Sequence, residues 1–297
     1  MGSIPRRRQY RFVVAIALFM TGIAGLGTYV AQHQLDTALE RDARGDLARG
    51  REVFDLVRAH ALDAMRGQCR LLVEDPRLKS TLATAGIDEA TVADILGDLG
   101  RLRGTGMLVV LWPDGHVFAE SGASELRGLD LSASSVVKKA EASSEAVAGS
   151  WVIGNRIIDL AIMGIRFDSS VIAYLVVGQA IDSELVKAVG AAAGTGIAIA
   201  VGSELTLVSD ERWRALTSLA QRASFASQRL ELAGEPLLVA LGELEQMGQA
   251  RPRLAVIRPL APALEAFATV RWLMWLSPVL VLIAIVLATS RPHPRAS

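Results

Sequence analysis

From residue 104 onward, short apolar runs recur between turn residues. Residues 107–121 read MLVVLWPDGHVFAES: a run rich in β-branched residues, then Pro113-Asp114-Gly115, then a second run. Proline fixes φ for a turn and glycine tolerates φ > 0, so the pattern predicts two antiparallel strands with a tight connection rather than a buried helix. Strand-like runs recur at 147–153, 157–165 and 171–181, with Gly154-Asn155 and Phe167-Asp168-Ser169-Ser170 between them and a helix predicted over 131–143. The order then returns in shorter form. A helix over 182–193 starts at Asp182 as N-cap. Strands follow at 196–201 and 204–209, then a helix over 211–223 with Trp213, Leu216 and Leu219 on one side. Strands at 229–232, 236–241 and 254–257 complete the set, with Gly234-Glu235 as a turn. Upstream, residues 32–74 lack proline and carry Leu47, Phe54, Val57, Ala61, Met65 and Leu72 at three- and four-residue steps. That leaves Arg44, Asp46, Arg49, Arg51, Glu52 and Arg58 largely off the stripe, the pattern of one long helix. Asp75-Pro76 ends it, and short helices are predicted over 77–83 and 88–102.

Two blocks, residues 12–30 and 272–289, contain no charged side chain. About twenty apolar residues suffice for a helix to cross a bilayer, so both are predicted membrane spans. Arg6, Arg7, Arg8 and Arg11 precede the first, and Arg291 and Arg295 follow the second. Basic residues favour the cytoplasmic side, which puts both termini there, in a cell membrane crossed twice, and residues 31–271 outside the cytoplasm. A cleaved signal peptide is the rival for the first block. Its apolar run exceeds a typical signal core and Val30-Ala31-Gln32 is not a small-x-small site, so an uncleaved anchor is predicted. Trp272 and Trp275 suit a lipid–water interface, and Pro278 is tolerated in a membrane helix.

Composition narrows the chemistry. Acidic and basic residues balance at 31 each, which gives no reason to expect nucleic acid as a partner. The single cysteine, Cys69, excludes an intrachain disulfide framework and a multi-cysteine metal site. His33, His60, His116 and His293 lack the close spacing of zinc ligands. No P-loop, Gly-x-Ser-x-Gly or closely spaced histidine pair is present, so no catalytic residue, cofactor or enzyme activity is predicted. Gly194-Thr195-Gly196 is a turn, and Asp182 with Glu184 sits at a helix start, where the macrodipole accounts for both. Near the membrane the long helix is predicted to pair with a second copy, giving a homodimer. Its far half packs within the chain.

The order of pieces resembles a double Cache domain, the extracytoplasmic PAS-like sensor module of bacterial two-component kinases and cyclases. Three stretches carry the likeness: residues 71–78 (LLVEDPRL), 107–121, and 174–182 (YLVVGQAID). The resemblance covers about residues 31–271. It implies an α+β fold in which two transmembrane helices flank a long helix and two PAS-like lobes with antiparallel five-stranded sheets. The corresponding division is a cytoplasmic N-terminus at 1–11, a first span at 12–30 and the long helix with short helices at 31–104. A membrane-distal lobe at 105–182 and a smaller membrane-proximal lobe at 183–262 follow, then a helix and second span at 263–289 and a tail at 290–297. Family members continue into relay helices and an output domain. Only residues 290–297 follow the second span here, so signalling through a separate partner protein is expected, or a chain that has lost its signalling role.

In such lobes small molecules lie between the concave sheet face and the segments joining strands two and three. Here that engages Trp151, Asn155, Arg156, Asp159, Arg166 and Tyr174 as ligand-binding candidates. Asp159 is an acid inside an apolar strand. Charged groups rarely enter a sheet core unpaired, so it lies at the rim or meets a cation such as Arg166, and an exposed strand face with a salt bridge is the favoured expectation. Arg156 and Asp159 differ by an odd number of positions and point to opposite faces of a regular strand. The family's amino-acid-binding signature is not recognisable, so amine ligands are not supported. The function expected is a sensor of a small ligand. An envelope scaffold that uses the lobes for protein–protein contacts is the alternative, and an envelope hydrolase is a distant third.

Overall fold

A computed structural model describes residues 6–244 and 252–262, together with Ile283. The first helix, α1 (Arg6–Leu72), is continuous through the charge-free block 12–30. Among the described residues no helix is long and apolar enough to cross a membrane. The predicted second span, 272–289, lies outside the described residues apart from Ile283.

Helix boundaries follow the capping chemistry in the sequence. The Asp75 carboxylate accepts from the Arg77 and Leu78 backbone N–H groups (2.9 and 3.1 Å) and so opens α2 (Pro76–Leu82). Pro76 occupies the first turn, where a missing N–H costs nothing. Asp88 accepts from Thr91 at the start of α3 (Glu89–Arg103), which Gly104 closes with a left-handed φ of 65°. The first sheet consists of β1 (Met107–Leu111), β2 (Val117–Ser121), β3 (Val147–Ile153), β4 (Arg156–Phe167) and β5 (Ser170–Ala180). Its strands run antiparallel in the order β2-β1-β5-β4-β3. Between β2 and β3 lies α4 (Ser135–Glu141). This helix is shorter than predicted because Ser134 caps it by accepting from Val136 N–H.

Asp182 caps α5 (Ser183–Ala193) as expected, accepting from Leu185 N–H at 2.8 Å. The second sheet holds β6 (Gly196–Val201), β7 (Glu204–Val208), β8 (Phe225–Leu232), β9 (Glu235–Glu243) and β10 (Arg253–Pro259), in the order β7-β6-β10-β9-β8. Two five-stranded antiparallel sheets are thus present. The predicted helix over 211–223 is instead two short 3₁₀ segments, Glu211–Ala215 and Thr217–Gln221. Asp210 caps the first, and Trp213 and Leu219 are buried as that prediction had them. β8 begins four residues before the predicted start.

The chain divides into two compact units. The larger comprises Asp46–Gln228 and Val239–Arg258. Within it, the far half of α1 lies against the first sheet: Met65, Cys69 and Leu72 join Leu78, Leu96, Leu108, Val110, Leu175 and Val177 in one apolar cluster. Leu47, Phe54, Met65 and Leu72 are buried as the periodicity predicts, whereas Val57 points outward. Nearer its start in this unit, Gly50 brings α1 against the second sheet: a Cβ there would fall 2.7 Å from Thr195 Oγ1 and Val256 Cγ1. Arg258 also holds Asp46 at 3.1 Å.

The smaller unit includes Arg229–Leu238. Its β8–β9 turn places Ala233 at φ 51° ahead of Gly234 at φ 83°. A Cβ in left-handed geometry costs roughly 1–2 kcal/mol. Ala233→Gly is therefore expected to raise stability by a few tenths to about 1 kcal/mol, the relief being partly offset by glycine's unfolded-state entropy. The midpoint of urea unfolding measures it, and a lower midpoint would contradict the turn geometry.

Candidate functional site

The two faces of the first sheet carry different chemistry. Strand alternation puts Asp159 and its cross-strand neighbour Ser150 on the α1 face. Asp159 is 3% exposed, which corrects the expectation of an exposed strand face. Its cation is Arg58 of α1, not Arg166. Arg58 Nε donates to Asp159 Oδ2 at 2.8 Å and Oδ1 at 3.1 Å. Arg58 Nη2 donates to Oδ1 at 2.8 Å and to Ser150 Oγ at 2.6 Å, and the Ser150 hydroxyl donates to Asp159. A bidentate guanidinium–carboxylate pair sealed by a hydroxyl meets the condition on which charges enter a core. In the sequence the charge of Arg58 sets it off the apolar stripe. Its position between Phe54 and Ala61 on that stripe is the sequence signal that pointed inward.

On the opposite face Trp151 and Tyr174 belong to a second apolar cluster with Val136, Val137 and Ala140 of α4 and with Ala123 and Leu126. Trp151 Nε1 donates to Ser134 Oγ at 2.9 Å, so the residue that caps α4 also anchors the indole. Gly149 admits α4 closely: a Cβ at that position would meet Val136 Cγ2 at 2.5 Å. Burial raises the Tyr174 hydroxyl pKa, the Glu141 charge adds to that, and Arg166 opposes it.

The six candidates are therefore dispersed. Trp151 stands opposite Ile158 and Tyr174 opposite Gly164, six positions apart along β4. Asn155 is exposed in the β3–β4 turn, Arg156 begins β4 in an ion pair with Glu125, and Arg166 is exposed near the far end of β4. Asp159 is on the other face. A second buried carboxylate, not singled out from sequence, is Glu120 of β2. It accepts from Arg127 Nη2 (2.8 Å) and Ala123 N–H (3.0 Å) and fixes the chain leaving the hairpin.

Cys69 is fully buried and donates to the Leu175 carbonyl at 3.4 Å. Burial pushes its thiol pKa up to about 12. The folded thiol keeps its proton to higher pH than the unfolded one, whose pKa is about 8.5. This group's stabilising contribution is thus complete below that value and declines as pH rises toward 12. Iodoacetamide at pH 8 is expected to leave Cys69 unmodified until urea unfolds the protein, as followed by intact mass. Labelling of the native protein would contradict the burial. Among the described residues no group of three or more His, Cys, Asp and Glu side chains is arranged to hold a metal ion.

No family model and no curated protein matches the sequence. Solved structures do. The sensor domain of the Vibrio cholerae histidine kinase DctB aligns at 12% identity with a TM-score of 0.50, covering 76% of this chain and 98% of that one. The ligand-binding domain of the Campylobacter jejuni chemoreceptor Tlp3, solved with 4-methylisoleucine, aligns at 14% identity and a TM-score of 0.49, covering 76% and 92%. The chain has the double Cache, PAS-like fold of bacterial sensor domains.

Proposed function

We propose that this protein is a membrane-anchored, extracytoplasmic sensor, held by spans at 12–30 and 272–289, that responds to a small molecule and signals through a separate protein. The observation that carries the reading is the link between α1 and the first sheet. α1 contains a span-length charge-free block, and its far half is fastened by Arg58 to Asp159 on that sheet. A ligand that favours one arrangement of the sheet over another biases the helix by its differential affinity for the two, and by no more than that. The ligand region proposed is the α4 side of β3–β5, with Trp151 and Tyr174 inside it and Asn155, Arg156 and Arg166 at its margins. Asp159 acts from behind, through Arg58. The near half of α1 pairs with a second copy, and the lipid bilayer holds both.

The dense packing of Val136 on Gly149 favours a second reading, a scaffold whose lobes bind a partner protein, because the side on which a small molecule would lie is occupied by the chain's own side chains. Full-length protein in nanodiscs, screened by thermal shift against organic acids, sugars and amino acids, separates the two. A sensor shows a saturable rise in melting temperature with one chemical class. Absence of any shift, with a stoichiometric envelope partner recovered by cross-linking, would replace the sensor reading with the scaffold. A periplasm-dependent reporter inserted near residue 150 tests the topology, and activity only in the cytosol would end it.

A further inference from the structure

We infer that the outward side of the far half of α1 is a parallel, in-register seam for the same helix of a second copy. The inward stripe of α1 runs through Phe54, Met65, Cys69 and Leu72, all buried. Roughly 130° around the helix, at 3.6 residues per turn, lies a second stripe. It comprises Leu56, Val57, His60, Ala64, Gly67 and Leu71, all exposed, with Leu56 at 68% and Leu71 at 64%. From Val57 onward the spacing is three, four, three and four, the seven-residue period of a left-handed helix pair. No acid, lysine or arginine lies on it. The charges of this segment fall beside it and are paired within the chain: Asp55 with Arg51, Arg58 with Asp159, Asp63 with Arg66, and Arg70 with Glu145. The chain's own lobe borders the stripe on both sides and leaves it open. Gln68 on one side lies 3.5 Å from Thr105, and Arg70 on the other holds Glu145 at 3.1 Å. Gly67 has no explanation within its own chain. A Cβ there would meet nothing within 4 Å, and glycine weakens a helix interior relative to alanine.

The occupant follows from where α1 begins. The helix is continuous from the charge-free block at 12–30 to Leu72. On the anchored-sensor reading, two copies in one bilayer therefore raise this stripe in the same direction and to the same height. Each residue then meets its own counterpart, and the contact is isologous, as a closed dimer requires. Ala64 and Gly67 let the two backbones approach. His60 is the one polar position, and a single polar residue in such a seam fixes register at some cost in stability. The seam extends the pairing of the near half into the turns that carry Arg58. The same stretch of helix thus holds the first sheet on one side and the second copy on another.

Disulfide trapping of full-length protein in membranes tests the seam, with buried Cys69 silent. Val57→Cys and Leu71→Cys stand at opposite ends of the stripe, so each traps with itself only where the helices run parallel and in register. Both are expected to give a reducible dimer under mild oxidation. Ala59→Cys, exposed but off the stripe, is expected to give roughly fivefold less. In the Leu71→Cys background, His60→Lys sets like charges against each other, as does His60→Glu. Each is expected to lower trapping, and co-expression of the two to restore it. No trapped dimer, equal trapping by Ala59→Cys, trapping of Val57→Cys only with Leu71→Cys of another chain, or a loss that co-expression does not restore would each overturn the inference. If neither end traps while a reporter near residue 150 is active only outside the cytosol, the seam falls and the anchored reading stands. Rescue by co-expression cannot come from misfolded chains.

Discussion

Asp159→Ala is expected to destabilise the protein by about 3 kcal/mol, the lower end of what removing one partner of a buried ion pair costs. The substitution leaves the Arg58 guanidinium inside the α1–sheet contact without the carboxylate that takes three of its hydrogen bonds. The Ser150 hydroxyl loses its acceptor as well. The Arg58 side chain keeps 11% of its surface exposed, which allows some rehydration and sets the estimate at the low end. Asp159→Asn preserves shape and one acceptor and is expected to fall between wild type and alanine. Arg58→Met with Asp159→Leu removes both charges and is expected to recover most of the loss, because an apolar pair of similar volume is often as stable as the ions it replaces. Urea unfolding of the four proteins measures the series. A cost below about 1 kcal/mol for Asp159→Ala, the range of a solvent-screened pair, would show that the ion pair is not buried. If the pair also transmits the sensor response, the Met/Leu protein keeps its stability and ligand shift but loses the downstream signal.

The strands were legible and the ion pair was not, for one reason. Strand periodicity and turn chemistry are local. Pro113-Asp114-Gly115, Gly154-Asn155 and the Asp182 cap each act within a few residues, and each appears where the sequence placed it. Arg58 and Asp159 are 101 positions apart. From sequence, a charge on a helix stripe and an acid in a strand each look like a solvated residue, and only the fold shows that they face each other. The helix over 211–223 failed differently. Its apolar spacing was sound, but the Leu216 backbone, at φ −81° and ψ 36°, interrupts the turn between the two 3₁₀ segments. The ligand candidates rest on likeness to a concave sheet face, and periodicity alone does not reveal that Trp151 and Tyr174 share the α4 side while Asp159 lies on the α1 face.

Gly115→Ala carries the other large effect. Gly115 sits in the β1–β2 turn at φ 89°, and its carbonyl accepts from Leu131 N–H at 2.9 Å, which draws the Ser132 backbone over the turn. A Cβ would fall 2.6 Å from both Ser132 Cα and Ser132 N. Backbone atoms cannot swing aside as a flexible side chain does, so the steric term adds to the conformational one, about 2–5 kcal/mol in all. Gly154 offers the control: its φ of 60° is also left-handed, but a Cβ there would meet nothing within 4 Å. Gly154→Ala is expected to cost only about 1 kcal/mol, from conformation alone. The difference between the two alanine variants in urea unfolding isolates the close approach of Ser132. Equal costs would mean that the segment after β2 does not close over the hairpin.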